Sequence, residues 1–247
     1  MPPPSERPAS VPVLQPGPRS ISVGVAFAAW ALGWLAGNVL ASVVLVVSGQ
    51  QNVDSARRPV WTVAALALAL WLPQIVAVAV AVQRFGQRRA AIDCRLGFAS
   101  IDLLGLPIGV ASQLVLLWAV YWPLKHWWPQ TFSEQRLEEN ARELYERATG
   151  GWVVVLVIIV AIGAPLVEEL VYRGLIQSAL MSRISAGLAV VVAAGFFALI
   201  HFRPIEYPGL FAFGLVLGVC LAITKRIGMG IAAHMAFNAT ALVLVAR

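Results

Sequence analysis

The sequence contains few charged residues. Charged side chains make up 12% of the 247 residues, whereas 60% are hydrophobic and the mean hydropathy is +0.80. A soluble domain carries about a quarter of its residues as Asp, Glu, Lys or Arg. Because so little charge is available for a water-facing surface, lipid must be the main solvent of this chain. The composition therefore predicts a polytopic helical membrane protein.

Cysteines are also scarce, and the basic residues form no extended patch. The two cysteines, Cys94 and Cys220, have neither metal-ligand spacing nor the number needed for a disulfide framework. The formal net charge is +6, but the basic residues lie in short breaks between apolar runs. That placement is typical of topology signals at an anionic membrane surface. We therefore expect membrane lipid, and no nucleic acid, as a partner.

The chain divides into a tail and a membrane domain. Residues 1–20 are rich in Pro and Ser and lack periodicity, which predicts a disordered tail. Within the membrane domain, residues 21–247, we expect all-α architecture, because unpaired backbone groups are too costly in lipid. About seven transmembrane helices, with limits of six and eight, follow from apolar runs at about 21–47, 60–82, 101–122, 152–181, 186–202, 207–224 and 229–246.

One long polar segment, residues 131–147, interrupts the apolar runs. Thr131 and Glu134 have the spacing of a capping box, and a narrow apolar stripe follows at helical spacing. Opposite charges four residues apart predict two ion pairs, Glu138 with Arg142 and Glu143 with Arg147. We interpret the segment as an amphipathic helix at the membrane interface. A substrate gate is the alternative.

The orientation is predicted from the loop charges. We expect the protein to lie in the plasma membrane. Residues 83–100 contain four arginines, so this loop and the N-terminus are expected to face the cytoplasm. The opposite side would hold a belt of tryptophans at span ends: Trp61, Trp118, Trp122, Trp127, Trp128 and Trp152. Arg136, Arg142 and Arg147 lie on that outer side and argue against this orientation.

Three charged residues lie inside the predicted span at 152–181: Glu168, Glu169 and Arg173. Each costs on the order of 2.5–3.5 kcal/mol at the bilayer centre, so they must face the bundle interior and have partners. Glu169 and Arg173 are four residues apart and can pair. Glu168 is turned by about 100° from Glu169 and is left for chemistry. Pro165 just before this cluster cannot donate to the helix ladder and should kink the helix near the site.

Polar groups in two further spans can complete this cluster. His201 ends one apolar run, and His234 lies in the last run with Asn238 four residues after it. A lone intramembrane histidine or asparagine is often only a helix–helix hydrogen bond. Because buried polar groups all need partners, we expect these three to meet the charged residues in one cavity. A flat count of spans places the two histidines at different depths, so their helices must be displaced or broken.

Three motifs resemble those of one family. APLVEELVYRG at 164–174, FALIH at 197–201 and HMAFN at 234–238 are similar, in this order, to the motifs of the CPBP family. That family includes the type II CAAX prenyl endopeptidases and the Abi proteins of bacteriocin processing and self-immunity. The resemblance covers roughly residues 152–246, which would be the catalytic core. The earlier residues add only compatible hydrophobic spans.

The chemistry and the resemblance together predict an intramembrane endopeptidase. Peptide hydrolysis needs a base for the water and a stabiliser for the oxyanion. The resemblance implies that Glu168 and His201 hold the water, that His234 and Asn238 receive the oxyanion, and that Glu169 with Arg173 orients them. The expected partner is a membrane-associated protein or peptide substrate, with a prenylated CAAX-like tail as one candidate.

Two alternatives stay open. Glu168, His201 and His234 form a ligand set that is typical of zinc hydrolases, so the same reaction could use zinc. No HExxH motif is present, and we favour a mechanism without a cofactor. The second alternative is a non-catalytic immunity, scaffold or transport protein, because buried Glu, Arg and His side chains can form a proton relay.

Overall fold

The computed structural model describes residues 20–246, so the predicted disordered tail at 1–20 lies outside it except for Ser20. The described residues contain no strand, which confirms the all-α fold class. In chain order the helices are α1 (Val23–Val47), α2 (Val60–Phe85), α3 (Ala90–Asp93), α4 (Ser100–Trp127), α5 (Glu134–Glu146), α6 (Trp152–Met181), α7 (Ala186–Leu199), α8 (Pro204–Thr224) and α9 (Gly228–Val245). The short 3-10 helix Ser55–Arg57 lies between α1 and α2.

Six helices in the described part of the chain are long and apolar enough to cross a membrane: α1, α2, α4, α6, α8 and α9. They make the chain a multi-pass membrane protein and agree with the lower limit of the predicted count. The predicted span at 186–202 forms α7, which has only 14 residues. The chain turns after Leu199, and Phe202 has a left-handed φ of 54°. His201 therefore lies in a turn and not inside a span.

Helix α6 is irregular where it carries the charged residues. Two stretches, Ile158–Gly163 and Glu169–Gln177, are π-helical, and the α-helical stretch Ala164–Glu168 lies between them. Pro165 lies inside the continuous helix α6, directly after the first π-helical stretch, and has no N–H to donate to the helix ladder. The helix type thus changes around Pro165, and the kink predicted there stays a prediction. Such π-helical stretches are rare and are frequent at functional sites.

Two packing arrangements position α6 and α9. The largest core cluster lies between α1, α2, α6 and α7 and contains Val78, Leu175, Ala189 and Phe197. Helix α4 packs closely on α9, because Gly105 and Gly109 face the backbone of α9. A Cβ atom at either glycine would collide with a carbonyl oxygen of α9. The absence of side chains at these positions therefore lets α4 support the helix that carries His234.

Helix α5 corresponds to the predicted amphipathic helix, with two corrections. Its N-cap is Ser133, whose side chain accepts from the Arg136 amide at 3.4 Å, so the predicted cap at Thr131 is wrong. The ion pair of Arg142 and Glu138 is confirmed at 2.8 Å. The predicted pair of Glu143 and Arg147 is wrong, because Arg147 donates to backbone carbonyls instead: to that of Glu143 at 2.8 Å and to that of Ser55 at 2.6 Å.

The outer surface of the bundle is apolar. Leucine, valine and isoleucine side chains are exposed along α1, α2, α4 and α6. The six tryptophans predicted to form an aromatic belt are all exposed. An exposed apolar surface of this extent is what lipid contact requires.

Candidate active site

A buried ion pair lies at the centre of the bundle. Arg173 Nη1 is 3.0 Å from Glu169 Oε1, and the two side chains are 1% and 0% exposed. The guanidinium also lies over the ring of Phe197, with its Cζ atom 4.3 Å from the ring centroid, and donates to the Gly214 carbonyl at 3.3 Å. The predicted pairing along α6 is confirmed. α7 and α8 supply the remaining contacts of the cation.

His234 of α9 joins the same carboxylate. Its Nδ1 is 3.1 Å from Glu169 Oε1, and its side chain is buried. Gly230 lies one turn earlier on α9, and a Cβ atom there would lie 2.7 Å from Glu169 Oε2. The ring edge packs against Phe213 and Phe197, at centroid distances of 5.4 and 6.0 Å. Since a carboxylate only accepts, Nδ1 carries the hydrogen and the imidazole is held in one orientation.

Glu168 has a different environment from its neighbour. Its side chain is 25% exposed, and Oε2 lies 3.7 Å from Nε2 of His234. It lines a cavity of about 140 Å³ between α1, α2 and α6. The two adjacent glutamates thus face opposite nitrogens of one imidazole. Glu169 is enclosed by protein, whereas Glu168 faces open space, as their helical phase predicts.

His201 approaches the site from the turn after α7. Its Nδ1 is 2.7 Å from the Phe197 carbonyl, and its ring packs edge-on against Phe197 with a centroid distance of 4.8 Å. Because a carbonyl accepts, Nδ1 carries the hydrogen and Nε2 of the neutral ring is free to accept. Phe197 also contacts His234. The distance between the two histidine ring centroids is therefore at most the sum of their centroid distances to Phe197.

Asn238 lies one turn after His234 and is directed toward α6. Its Nδ2 donates to the Val160 carbonyl at 2.8 Å. Val160 belongs to the first π-helical stretch of α6, where the backbone departs from the α-helical pattern. A carboxamide nitrogen has two hydrogens, so this bond leaves one hydrogen for another acceptor.

A family model matches the part of the chain that carries these residues. Residues 150–240 match the family model described as Type II CAAX prenyl endopeptidase Rce1-like. We refer to residues 150–240 as the Rce1-like segment. The match confirms the family resemblance of the three motifs. The match covers less than half of the chain, and no curated protein and no solved structure matches the chain.

The Rce1-like segment contains all six predicted site residues, but they are not equally close. Glu168, Glu169, Arg173 and His234 are joined by direct contacts. His201 is linked to them through Phe197, and Asn238 through the backbone of α6. Within residues 20–246, no three His, Cys, Asp or Glu side chains are placed to hold a metal ion. The zinc-dependent alternative, with Glu168, His201 and His234 as ligands, stays a prediction.

Sequence reasoning missed several residues that build the site. Gly230 leaves room for the Glu169 carboxylate, Phe213 packs on His234, and the Gly214 carbonyl accepts from Arg173. Gln74 of α2 lines the cavity beside Glu168. A glutamine inside an apolar run is the one signal among these that could have been noticed, because buried carboxamides need partners. The glycine and phenylalanine positions look like ordinary membrane-helix residues.

Proposed function

We propose that the protein is a CAAX-type intramembrane endopeptidase that hydrolyses a peptide bond of a membrane-associated substrate with a water activated by Glu168. The main support for this proposal is that the two adjacent glutamates differ in burial and in their partners. Glu169 is fully buried and is held by Arg173 and His234, whereas Glu168 stays 25% exposed beside the same histidine. The match of the Rce1-like segment supports the reaction class.

Glu168 would be the general base. A base must lie within hydrogen-bond reach of the water that it deprotonates, and the cavity beside Glu168 provides space for that water. Glu168 takes one proton as the water oxygen attacks the carbonyl carbon. When the carbon–nitrogen bond breaks, the protonated Glu168 gives that proton to the leaving amine. General acid–base catalysis of this kind contributes about 10²–10⁴-fold to a rate.

His201 would hold the water from a second side. Its Nδ1 hydrogen is used by the Phe197 carbonyl, so the Nε2 lone pair is available to accept a hydrogen bond from water. The other water hydrogen then points to Glu168. Two acceptors would orient the oxygen lone pair of the water toward the substrate carbonyl.

His234 and Asn238 would stabilise the oxyanion. Asn238 has one N–H hydrogen that Val160 does not use. The Nε2 atom of His234 lies 3.7 Å from Glu168 Oε2. Because Nδ1 already donates to Glu169, Nε2 can donate to the oxyanion only in the imidazolium form, which carries a hydrogen on both nitrogens. Donors that are already oriented lose no reorganisation energy when negative charge develops. Glu169 with Arg173 would keep the imidazole in the orientation that this requires.

The test is hydrolysis by purified full-length protein in phosphatidylcholine vesicles. The probe is a farnesylated peptide with a CAAX C-terminus, and cleavage is followed by mass spectrometry. Glu168→Gln keeps the shape of the side chain but removes its basicity, so we expect at least about a 10²-fold loss of kcat with unchanged folding. Glu138→Gln, on the exposed face of α5, is the matched control and should keep full activity.

Three results would contradict the proposal. Full activity of Glu168→Gln would exclude Glu168 as the base. Loss of activity after chelation, with recovery only on addition of zinc, would replace the metal-free mechanism by the zinc-dependent alternative. Absence of cleavage by the wild-type protein, for farnesylated and unmodified peptides alike, would contradict the assigned reaction class.

A further inference from the structure

A second ion pair joins the start of α4 to the turn that leads into α9. Arg226 Nε donates to Asp102 Oδ2 at 2.7 Å, and the aspartate side chain is 0% exposed. Asp102 Oδ2 also accepts from the Ala99 backbone N–H at 2.8 Å, whereas its Oδ1 atom has no hydrogen-bond partner among residues 20–246. Asp102 lies outside the Rce1-like segment and has no part in the proposed reaction.

The same turn is bound to the loop that precedes α4. The Ile227 N–H donates to the Arg95 carbonyl at 3.1 Å. A Cβ atom at Gly228, the first residue of α9, would lie 2.6 Å from the Gly97 carbonyl oxygen and 2.7 Å from Asp102 Oδ2. The first residue of α9 is therefore enclosed by this loop and by the aspartate carboxylate.

Two glycine contacts follow the ion pair along the same two helices. A Cβ atom at Gly105 would collide with the Met229 carbonyl oxygen, and one at Gly109 would collide with the Ala233 carbonyl oxygen. Ala233 directly precedes His234. Small residues let two helix backbones approach closely. Their smooth surface does not by itself fix how far one helix lies along the other.

The ion pair supplies a directional contact that can fix this position. A charge-assisted hydrogen bond of 2.7 Å has a short, well-defined geometry. Replacing a buried ion pair by apolar residues is often neutral for stability, whereas a polar contact between helices can specify their register. We therefore expect the pair of Asp102 and Arg226 to affect the position of α9 more than the free energy of unfolding.

The position of α9 sets the position of His234. Gly228 and His234 are six residues apart, which corresponds to about 9 Å along the helix. A slip of one residue would move His234 by about 1.5 Å and turn it by about 100°. Its Nδ1 lies 3.1 Å from Glu169 Oε1, so this slip would break their hydrogen bond.

We propose that Asp102 and Arg226 are positioning residues, which fix α9 along α4 and thereby hold His234 at Glu169. Arg226 precedes His234 by eight residues, or about 12 Å of helix, and acts only through α9. This inference rests on the proposed function, because it gives the start of α4 a role in the same site.

The experiment separates position from stability in full-length protein in phosphatidylcholine vesicles, with the farnesylated CAAX peptide as substrate. Arg226→Met keeps the apolar stem but leaves the buried Asp102 carboxylate unpaired, so it should destabilise the protein. Adding Asp102→Ala removes both charges and should restore most of the stability. The double variant should nevertheless keep a loss of about 10²-fold in kcat with little change in KM, because His234 stays misplaced.

A conservative variant and a control pair complete the set. Asp102→Asn can still accept from Arg226 and Ala99, so it should have at least about tenfold more kcat than the double variant. The control is Lys125→Met with Glu134→Ala. This pair, 2.9 Å apart and 36% and 76% exposed, lies at the other end of α4, and its loss should leave kcat and KM unchanged.

A second measurement does not depend on a substrate. The chain contains three histidines, so protein labelled with ¹⁵N-histidine gives few signals in nuclear magnetic resonance spectra. The signals that His234→Asn removes belong to His234. Because Nδ1 of His234 is bonded to Glu169, its signal should shift in the double variant and stay unchanged in the control.

The outcomes distinguish the two proposals. Wild-type kcat in the folded double variant, recovery of kcat together with stability, or an unchanged Nδ1 signal of His234 would overturn the positioning role alone. Absence of cleavage by the wild-type protein would overturn the proposed function. The His234 signal of the double variant would then by itself support or overturn the effect of Asp102 and Arg226 on α9.

Discussion

Removal of the Arg173 guanidinium tests how much the buried ion pair with Glu169 contributes to the free energy of unfolding. In Arg173→Met the apolar stem is kept, but the guanidinium that contacts Glu169 at 3.0 Å is lost. In this variant the Glu169 carboxylate, which is 0% exposed, keeps His234 as a polar neighbour but has lost its cation. It also removes the cation from the face of Phe197 and the donor from the Gly214 carbonyl.

The expected loss of stability is large, because a buried charge is left without its partner. Breaking a buried pair in this way costs about 3–5 kcal/mol. Replacing both partners is much less costly, so the double variant with Glu169→Gln should recover most of the loss. The chain offers a matched control in the pair of Glu138 and Arg142, which has the same residue types and spacing but is about half exposed. Its removal should cost about 0.3–0.5 kcal/mol.

The assay is reversible unfolding in mixed detergent micelles, with the free energy of unfolding measured for both single variants and the double variant of each pair. A coupling energy of several kcal/mol is expected for Glu169 with Arg173, and less than about 1 kcal/mol for the control pair. Similar losses for the buried and exposed pairs would refute the reasoning. The same holds if the double variant is less stable than the sum of the single losses predicts.

The remaining predictions concern a glycine, an asparagine and a cysteine. Gly230→Ala should destabilise the protein and lower activity, because its Cβ atom would lie 2.7 Å from a buried carboxylate oxygen, whereas Gly187→Ala meets no neighbouring atom within 4 Å and should be tolerated in the same unfolding assay. Asn238→Ala should lower kcat by about 10²–10³-fold with little change in KM. Thr240→Val, which removes only a hydroxyl bonded within α9, should not change steady-state kinetics. Burial raises the pKa of the Cys94 thiol to about 12. Because this thiol stays protonated in the folded protein, its stabilising contribution is complete below the ordinary thiol pKa and is lost as the pH rises toward 12. Unfolding curves at increasing pH should therefore show a loss of stability that Cys94→Ala lacks, and alkylation of Cys94 at pH 8 should require unfolding.

The membrane-crossing helices and the central ion pair could be predicted because both depend on local sequence. Run length and hydropathy identify the long apolar helices, and four-residue spacing brings Glu169 to Arg173. The same four-residue spacing predicted an ion pair of Glu143 and Arg147, and that prediction is wrong. Arg147 lies at the end of α5, where unpaired backbone carbonyls compete for the guanidinium. Spacing alone does not distinguish a carboxylate partner from a carbonyl partner.

The depth of the two histidines could not be predicted from a count of spans. His201 reaches Phe197 because α7 is short and ends in a turn, which a hydropathy window does not resolve. The predicted cap at Thr131 failed for a related reason: two hydroxyl residues precede α5, and only the backbone geometry selects Ser133. The changes of helix type within α6 have no composition signal either. They are defined by the backbone hydrogen bonds of α6, which hydropathy does not report.

The change of helix type coincides with the different surroundings of the two glutamates. Glu168 is the last residue of the α-helical stretch, and Glu169 is the first residue of the π-helical stretch. Every residue of that second stretch except Leu170 is buried, so Glu169 enters the protein interior with Arg173 as its neutralising partner. The charge of Glu169 is therefore compensated within the fold. Glu168 is left as the carboxylate whose charge faces the open cavity, and a base that removes a proton from water must have that exposure.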